Sequence, residues 1–287
     1  MPNTPTPPAA DNTVSLGRRL ANSWEEHRLQ FRRAFRQARR NPSEKHIHEL
    51  RIAVRRLLAH LDLLGTASLP AAVSRARRKL KVLIRTTAAT RDAQVQLRLL
   101  PRLLRNDNHP ERRRCLRQLE ARTRHQARKL VKVLKCRPTR LRSVKLQEFL
   151  ETPGLLWQRR LQAAMRHAFR RALARLECRL SDARNGEANA LHHARVALKR
   201  VRYMAETARL GAARTRALRQ LHTIQSAMGE VHDLDVLLLR LEKLAARHPR
   251  TGVWLQAQRA ALQHQRVALL RVVPPTPANL AALFSPR

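Results

Sequence analysis

The sequence predicts an all-α protein made of two copies of one unit of about four helices. Three observations carry that expectation. Turn and strand formers are scarce, with only seven glycines among 287 residues. Apolar residues recur at helical spacing between a few Pro- and Gly-marked breaks. One arrangement of basic and apolar residues also returns about halfway along the chain.

Leu, Ala and Arg dominate the composition, and these are strong helix formers. The hydrophobic fraction of 43% is enough to fill a core. Helices are expected near 14–40, 43–64, 69–105, 109–136, 142–184, 187–210, 212–247 and 251–272, with a further break at Pro153-Gly154. The breaks between them fall at Asn41-Pro42, Gly65, His109-Pro110, Pro138, Asn185-Gly186, Gly211 and His248-Pro249. Residues 1–13 and 273–287 are rich in proline and read as flexible tails.

The repeat is visible when "IHELRIAVRRLLAHL" is set against "LHHARVALKRVRYMA". His48 aligns with His192, Arg51 with Arg195, Arg55 with Lys199 and Arg56 with Arg200, each pair 144 residues apart. "LKVLIRTTAATRDAQVQL" then matches "LHTIQSAMGEVHDLDVLL" at an offset of 141, pairing Leu80 with Leu221 and Asp92 with Asp233. The ordered region 14–272 therefore divides into a first copy over about 14–137 and a second over about 154–272.

At about 100° per residue, Ile47, Leu50, Val54, Leu57, Leu58, Leu61 and Leu64 form one stripe, and His48, Arg51 and Arg55 form a separate row beside it. In the second copy Leu191, Ala194, Leu198, Val201 and Ala205 form the stripe, and His192, Arg195 and Lys199 the row. Arg56 and Arg200 fall on another flank. Like charges three and four residues apart destabilise a helix, so a row that recurs in both copies points to an anionic partner. The competing reading pairs these bases with neighbouring carboxylates, and Asp62 and Glu206, also 144 apart, are placed to serve. Twenty acids cannot neutralise sixty bases, however, and the formal net charge is +40. Such a surface seeks RNA, DNA, anionic membrane or another polyanion.

Other chemistry finds little support. His46 and His48 diverge on a helix, as do His192 and His193, so no metal site is expected. There is no nucleophile elbow and no Gly-rich phosphate loop. Asp92 and Asp233 read as helix caps or as partners of buried arginines. Cys115, Cys136 and Cys178 are scattered singly, which fits reduced thiols and a cytoplasmic setting. Neither a secretory signal nor an apolar run of membrane-spanning length is present. Arginine and lysine stay charged at neutral pH, which leaves the two row histidines as the expected pH-sensitive groups.

Together these motifs resemble the CHAD family, the conserved histidine α-helical domain. The resemblance rests on His48-Glu49-Leu50-Arg51 through Arg56, on Thr90-Arg91-Asp92-Ala93-Gln94-Val95, on His192-His193-Ala194-Arg195 through Arg202-Tyr203, and on Gly229 through Val236. It extends over about residues 14–272. It implies two pseudo-symmetric four-helix bundles with a basic central cleft or pore. It also implies binding of inorganic polyphosphate, often at polyphosphate granules, with no catalysis, no cofactor and no attached triphosphate-tunnel enzyme domain. On this reading the polyphosphate-binding residues are His48, Arg51, Arg55, Arg56 and Lys81 in the first copy, and His192, Arg195, Lys199, Arg200 and Arg202 in the second. One departure is Thr87-Ala88, where the family usually reads Leu-Gly, and this leaves the local packing open. Only nine residues are aromatic, thin provision for stacking bases, which favours polyphosphate over the alternative of RNA or DNA.

Overall fold

The computed structural model describes residues 15–64, 71–136, 146–207 and 213–272. The two expected tails, the breaks at Gly65, Pro138 and Gly211, and the first part of the stretch between the two copies lie outside the described residues. Every regular element among the described residues is helical: α1 (Leu16–Arg40), α2 (Glu44–Leu63), α3 (Ala71–Thr86), α4 (Ala88–Leu103), α5 (Pro110–Cys136), the short α6 (Leu146–Leu150), α7 (Leu155–Asp182), α8 (Ala188–Thr207), α9 (Ala213–Ala245) and α10 (Pro249–Val272). A single 3₁₀ turn, Ala183–Asn185, links α7 to α8. No helix among these residues is long and apolar enough to cross a membrane.

Local chemistry sets most of the ends. The Ser15 hydroxyl accepts the Arg18 N–H and the Ser43 hydroxyl accepts the His46 N–H, which caps α1 and α2. Pro110 and Pro249 open α5 and α10, where their missing N–H leaves no bond unmade. Gly154, at φ +119°, turns the chain between α6 and α7, the break expected at Pro153-Gly154.

The helix expected over 69–105 is in fact two. The chain turns at Thr87, whose hydroxyl lies 3.0 Å from the Leu83 carbonyl and 3.1 Å from that of Ile84. A threonine bonding back onto its own helix bends it. Arg51 of α2 fixes the bend by donating from Nη1 to the Ile84 carbonyl and to the Thr87 hydroxyl, both at 2.8 Å.

Packing joins equivalent helices. α1 lies on α2 and α7 on α8; α4 lies on α5 and α9 on α10. Across the two copies, α2 packs on α8 and α4 on α9. The apolar core does not divide at the boundary between copies. Its larger part joins α1, α2 and α3 to α7, α8 and the first half of α9, through residues such as Trp24, Phe31, Leu57, Leu80, Leu198 and Met228. The smaller part joins the end of α4 and α5 to the second half of α9 and α10, through Leu100, Leu119, Leu237, Leu241 and Trp254. α9 runs through both. Polar links cross as well: Gln96 Nε2 donates to the Val236 carbonyl at 3.1 Å, the Thr251 hydroxyl to Glu111 at 2.6 Å and Trp254 Nε1 to Asp107 at 2.7 Å. The sharing of apolar surface holds α2, α4, α8 and α9 side by side at the centre.

Gly17 marks a close approach between α1 and α6. A Cβ there would lie 2.0 Å from the Leu150 carbonyl oxygen, and its own N–H donates to Gln158 Oε1 at 3.1 Å. Gly17→Ala is therefore expected to lower stability by about 1–3 kcal/mol, as overpacking against backbone does, measured by denaturant unfolding. An unchanged midpoint would show that α6 is not seated on α1.

Candidate functional site

The two basic rows meet where α2 packs on α8 and α4 on α9. Arg51 and Arg55 come from α2, Arg91 and Asp92 from α4, Arg195 and Lys199 from α8, and His232 and Asp233 from α9. The apolar stripes on the other faces turn these side chains toward one another.

The arginines are held by few groups. Arg51 has the Ile84 carbonyl and Thr87. Arg55 is hydrogen-bonded to the buried Tyr203 of α8. Arg195 lies 3.9 Å from Asp233 Oδ1 and packs over Gly229, where a Cβ would sit 3.7 Å from its guanidinium. The family glycine is thus present in the second copy, beneath Arg195. In the first copy the Thr87 turn takes its place beneath Arg51.

Burial and mutual repulsion shape the titration of the cluster. Burial lowers Arg51 to about 10, with Arg55 adding to the effect and Asp92 opposing it. Arg195 is lowered for the same first reason. Lys199 is pushed down to about 5, by burial and then by Arg195, Arg55 and Arg51. This runs against the expectation that the lysine of the row stays charged, because burial and three guanidiniums all disfavour its ammonium form. Asp92 and Asp233 are raised by burial despite the neighbouring arginines.

The histidines sit at the edge. His48 is exposed, yet partial burial, Arg91 and Arg55 lower its pKa while Glu44 opposes them. His192 is exposed and likewise lowered by partial burial, Arg195 and His193. Its ring lies 4.8 Å from that of His232, which burial and Arg195 bring to about 3. Protonation of these rings is therefore disfavoured. Among the described residues no three metal-ligand side chains converge.

The other expected residues are engaged elsewhere. Arg200 Nε lies 2.8 Å from Asp62, which also binds Arg77, so this arginine ties α8 to α2 and α3. Arg202 pairs with Glu206 at 3.2 Å and stacks over Tyr203 at 4.6 Å. Asp62 and Glu206 thus do serve as carboxylate partners, but for the flanks and not for the rows. Arg56 donates to Gln30 at 3.0 Å. Lys81 is exposed on α3 and is not among the charges that bear most strongly on the cluster.

Two residues outside the expected set belong to it. Arg91 bears on His48, Arg51, Arg55 and Arg195. His232 stacks on His192. They are 141 residues apart, one before each aligned aspartate, so the register of the repeat already paired them.

No curated protein matches the chain in sequence. Among solved structures, the crystal structure of the CHAD domain from the plant Ricinus communis superposes with a TM-score of 0.60 at 21% identity, covering 99% of this chain and 95% of that one. PptA from Streptomyces chartreusis superposes with a TM-score of 0.61 at 17% identity, covering 90% of this chain and 99% of that one. Likenesses at these identities concern the fold. The model of the CHAD domain matches residues 22–242, most of the chain, and the protein therefore belongs to the CHAD domain family.

Proposed function

We propose that this protein binds inorganic polyphosphate along the cluster between α2, α4, α8 and α9, and that it does so without turning the polymer over. The observation that carries the reading is the meeting of Arg51 and Arg55 of α2 with Arg195 and Lys199 of α8, where burial first and those arginines next lower Lys199 to about 5. Such crowding costs folding free energy and brings the chain nothing unless an anion enters. A polymer with charge at nearly every unit and no bases suits a site of guanidinium forks with little aromatic surface. Family membership points the same way. The same polymer at polyphosphate granules is the cellular setting this reading implies.

The direct test is competition. At about 0.15 M salt, where exposed charges are screened beyond about 8 Å, long polyphosphate should displace RNA from the protein at equal phosphate concentration. RNA holding its place would overturn the reading in favour of a nucleic-acid binder.

A second test separates a ligand site from a structural network. Lys199→Met removes a buried ionisable group and keeps the bulk. Its expected effects are opposite in sign: higher unfolding stability, and polyphosphate affinity lower by roughly tenfold, the equivalent of about 1.4 kcal/mol. A variant that is less stable and binds as before would mark Lys199 as a structural residue.

The third test concerns pH. The free-state pKa values of His48, His192 and Lys199 are lowered, and a bound polyanion raises them again. The complex then holds more protons than the free protein, so affinity rises as pH falls. Lys199 contributes between its ordinary range and about 5, the histidines below their ordinary value of 6.5. Calorimetry at about pH 8 and pH 6, in buffers of different ionisation enthalpy, should register proton uptake that shrinks in His48→Gln with His192→Gln and shrinks further when Lys199→Met is added. Binding without proton uptake would contradict this.

A further inference from the structure

The first copy holds a cleft whose charged lining the second copy does not repeat. It lies between the start of α2, α4 and α5, has a volume of about 430 Å³, and its walls include Ser43, Glu44, Gln94, Arg98, Thr123 and Arg124. Glu44 stands at its inner edge and accepts from Arg91 at 2.6 Å and from Arg98 at 3.0 Å. Arg91 belongs to the central cluster and Arg98 to the cleft, so one carboxylate separates the two. Arg98 also bears on Asp233, which places it within electrostatic reach of the cluster.

The repeat register shows what the same place holds in the other half. Glu44 corresponds to Ala188 and Arg98 to the exposed Leu239. Gln94 corresponds to Asp235 and Pro42 to Gly186. In the first copy Gln94 Nε2 donates to the Pro42 carbonyl at 2.8 Å. In the second, Arg266 from α10 donates to Asp235 at 2.5 Å and to the Gly186 carbonyl at 2.8 Å. There the arginine is neutralised by a carboxylate of its own chain and fills the corner. In the first copy, Arg98 and the exposed Arg124 face an open cleft, and among the described residues that line it the one carboxylate is Glu44, which already holds Arg91 and Arg98.

We propose that this cleft is an outer phosphate subsite, present in the first copy alone, and that a polyphosphate chain leaving the central cluster enters it by displacing Glu44 from Arg91 and Arg98. The proposal rests on the polyphosphate reading above and adds a second site and a direction to it. Glu44 occupies the arginines in the free protein as an internal anion. Its hold is weak enough to be broken, because it is half-exposed, with 36% of its side chain open to solvent. A long chain offers several charges for the one it replaces. α2 begins at the cleft wall, at Ser43 and Glu44, and a helix N-terminus favours an anion. A short chain that fills the central cluster does not reach Arg98 and Arg124.

The test compares tripolyphosphate with long-chain polyphosphate on three full-length proteins: wild type, Glu44→Gln, and Arg98→Ala with Arg124→Ala. The double variant should bind tripolyphosphate as wild type does. It should bind the long chain more weakly, with the slope of log affinity against log salt reduced by about one for each arginine. Glu44→Gln should bind the long chain roughly two- to fivefold more tightly, the range expected for removing one exposed ion-pair competitor. Thermal unfolding checks that all three are folded. The proposal is overturned if the double variant loses affinity equally for both chain lengths, or for neither. It is equally overturned if Glu44→Gln binds more weakly, because Glu44 would then be placing the arginines and not blocking them. A wild type that binds neither probe overturns the polyphosphate reading itself, and the subsite with it.

Discussion

Repulsion among like charges at the centre of the fold is the constraint on which the rest depends. Arg51, Arg55, Arg91, Arg195 and Lys199 are brought together with Asp92 and Asp233 beside them and Glu44 on Arg91. Left to themselves these helices would part. They stay together because the apolar core crosses from one copy to the other, in two clusters that each draw on both halves. Burying a leucine contributes about 1.5–3 kcal/mol, and the shared core contains many. The hydrophobic stripe and the basic row on α2 and α8 therefore have a causal link: the stripe generates the force that holds the row in place. Arg51 shows the two roles meeting in one side chain, since it lies in the charged cluster and also fixes the turn at Thr87.

The two copies keep the same plan but treat their charges differently. Arg91 in the first copy is His232 in the second, so one edge carries a permanent charge and the other a ring that loses its proton. Glu44 bridges two arginines on one side, while Asp235 holds Arg266 on the other. A strictly symmetric site would engage a polymer equally in either orientation. Here one half pairs Arg266 with Asp235 and the other shares Glu44 between two arginines, so on the proposed reading a bound chain would meet two unlike ends.

Much of this was legible in the sequence. Helical phase alone separates the stripe from the row, and the stripe is buried at Ile47, Leu50, Val54, Leu57, Leu61 and Leu64 and partly buried at Leu58, with Leu191, Ala194, Leu198, Val201 and Ala205 buried in α8. The CHAD motifs led to the right family. Three things were harder to see. Thr87 is unremarkable within a helical pattern, and only its hydroxyl bonding and the reach of Arg51 reveal a turn. Arg91 lies on a different helix from the rows, so the phase of α2 and α8 could not find it, although its alignment with His232 was there to read. Lys199 looks like any basic residue in sequence. Its lowered pKa comes from burial and from arginines supplied by two helices, which is a tertiary property.

The central claim is that the cluster is strained when empty and relieved by a polyanion. The ammonium of Lys199 reports that state at a single atom. Its titration can be followed by nuclear magnetic resonance of nitrogen-labelled lysine, assigned by comparison with a Lys199→Arg variant, in the free protein and with long polyphosphate bound. The account predicts a free-state midpoint near 5 and a bound-state midpoint moved up toward the ordinary lysine value of 10.5. A Lys199 that titrates near 10.5 in the free protein, or one whose midpoint does not move when polyphosphate binds, would contradict it.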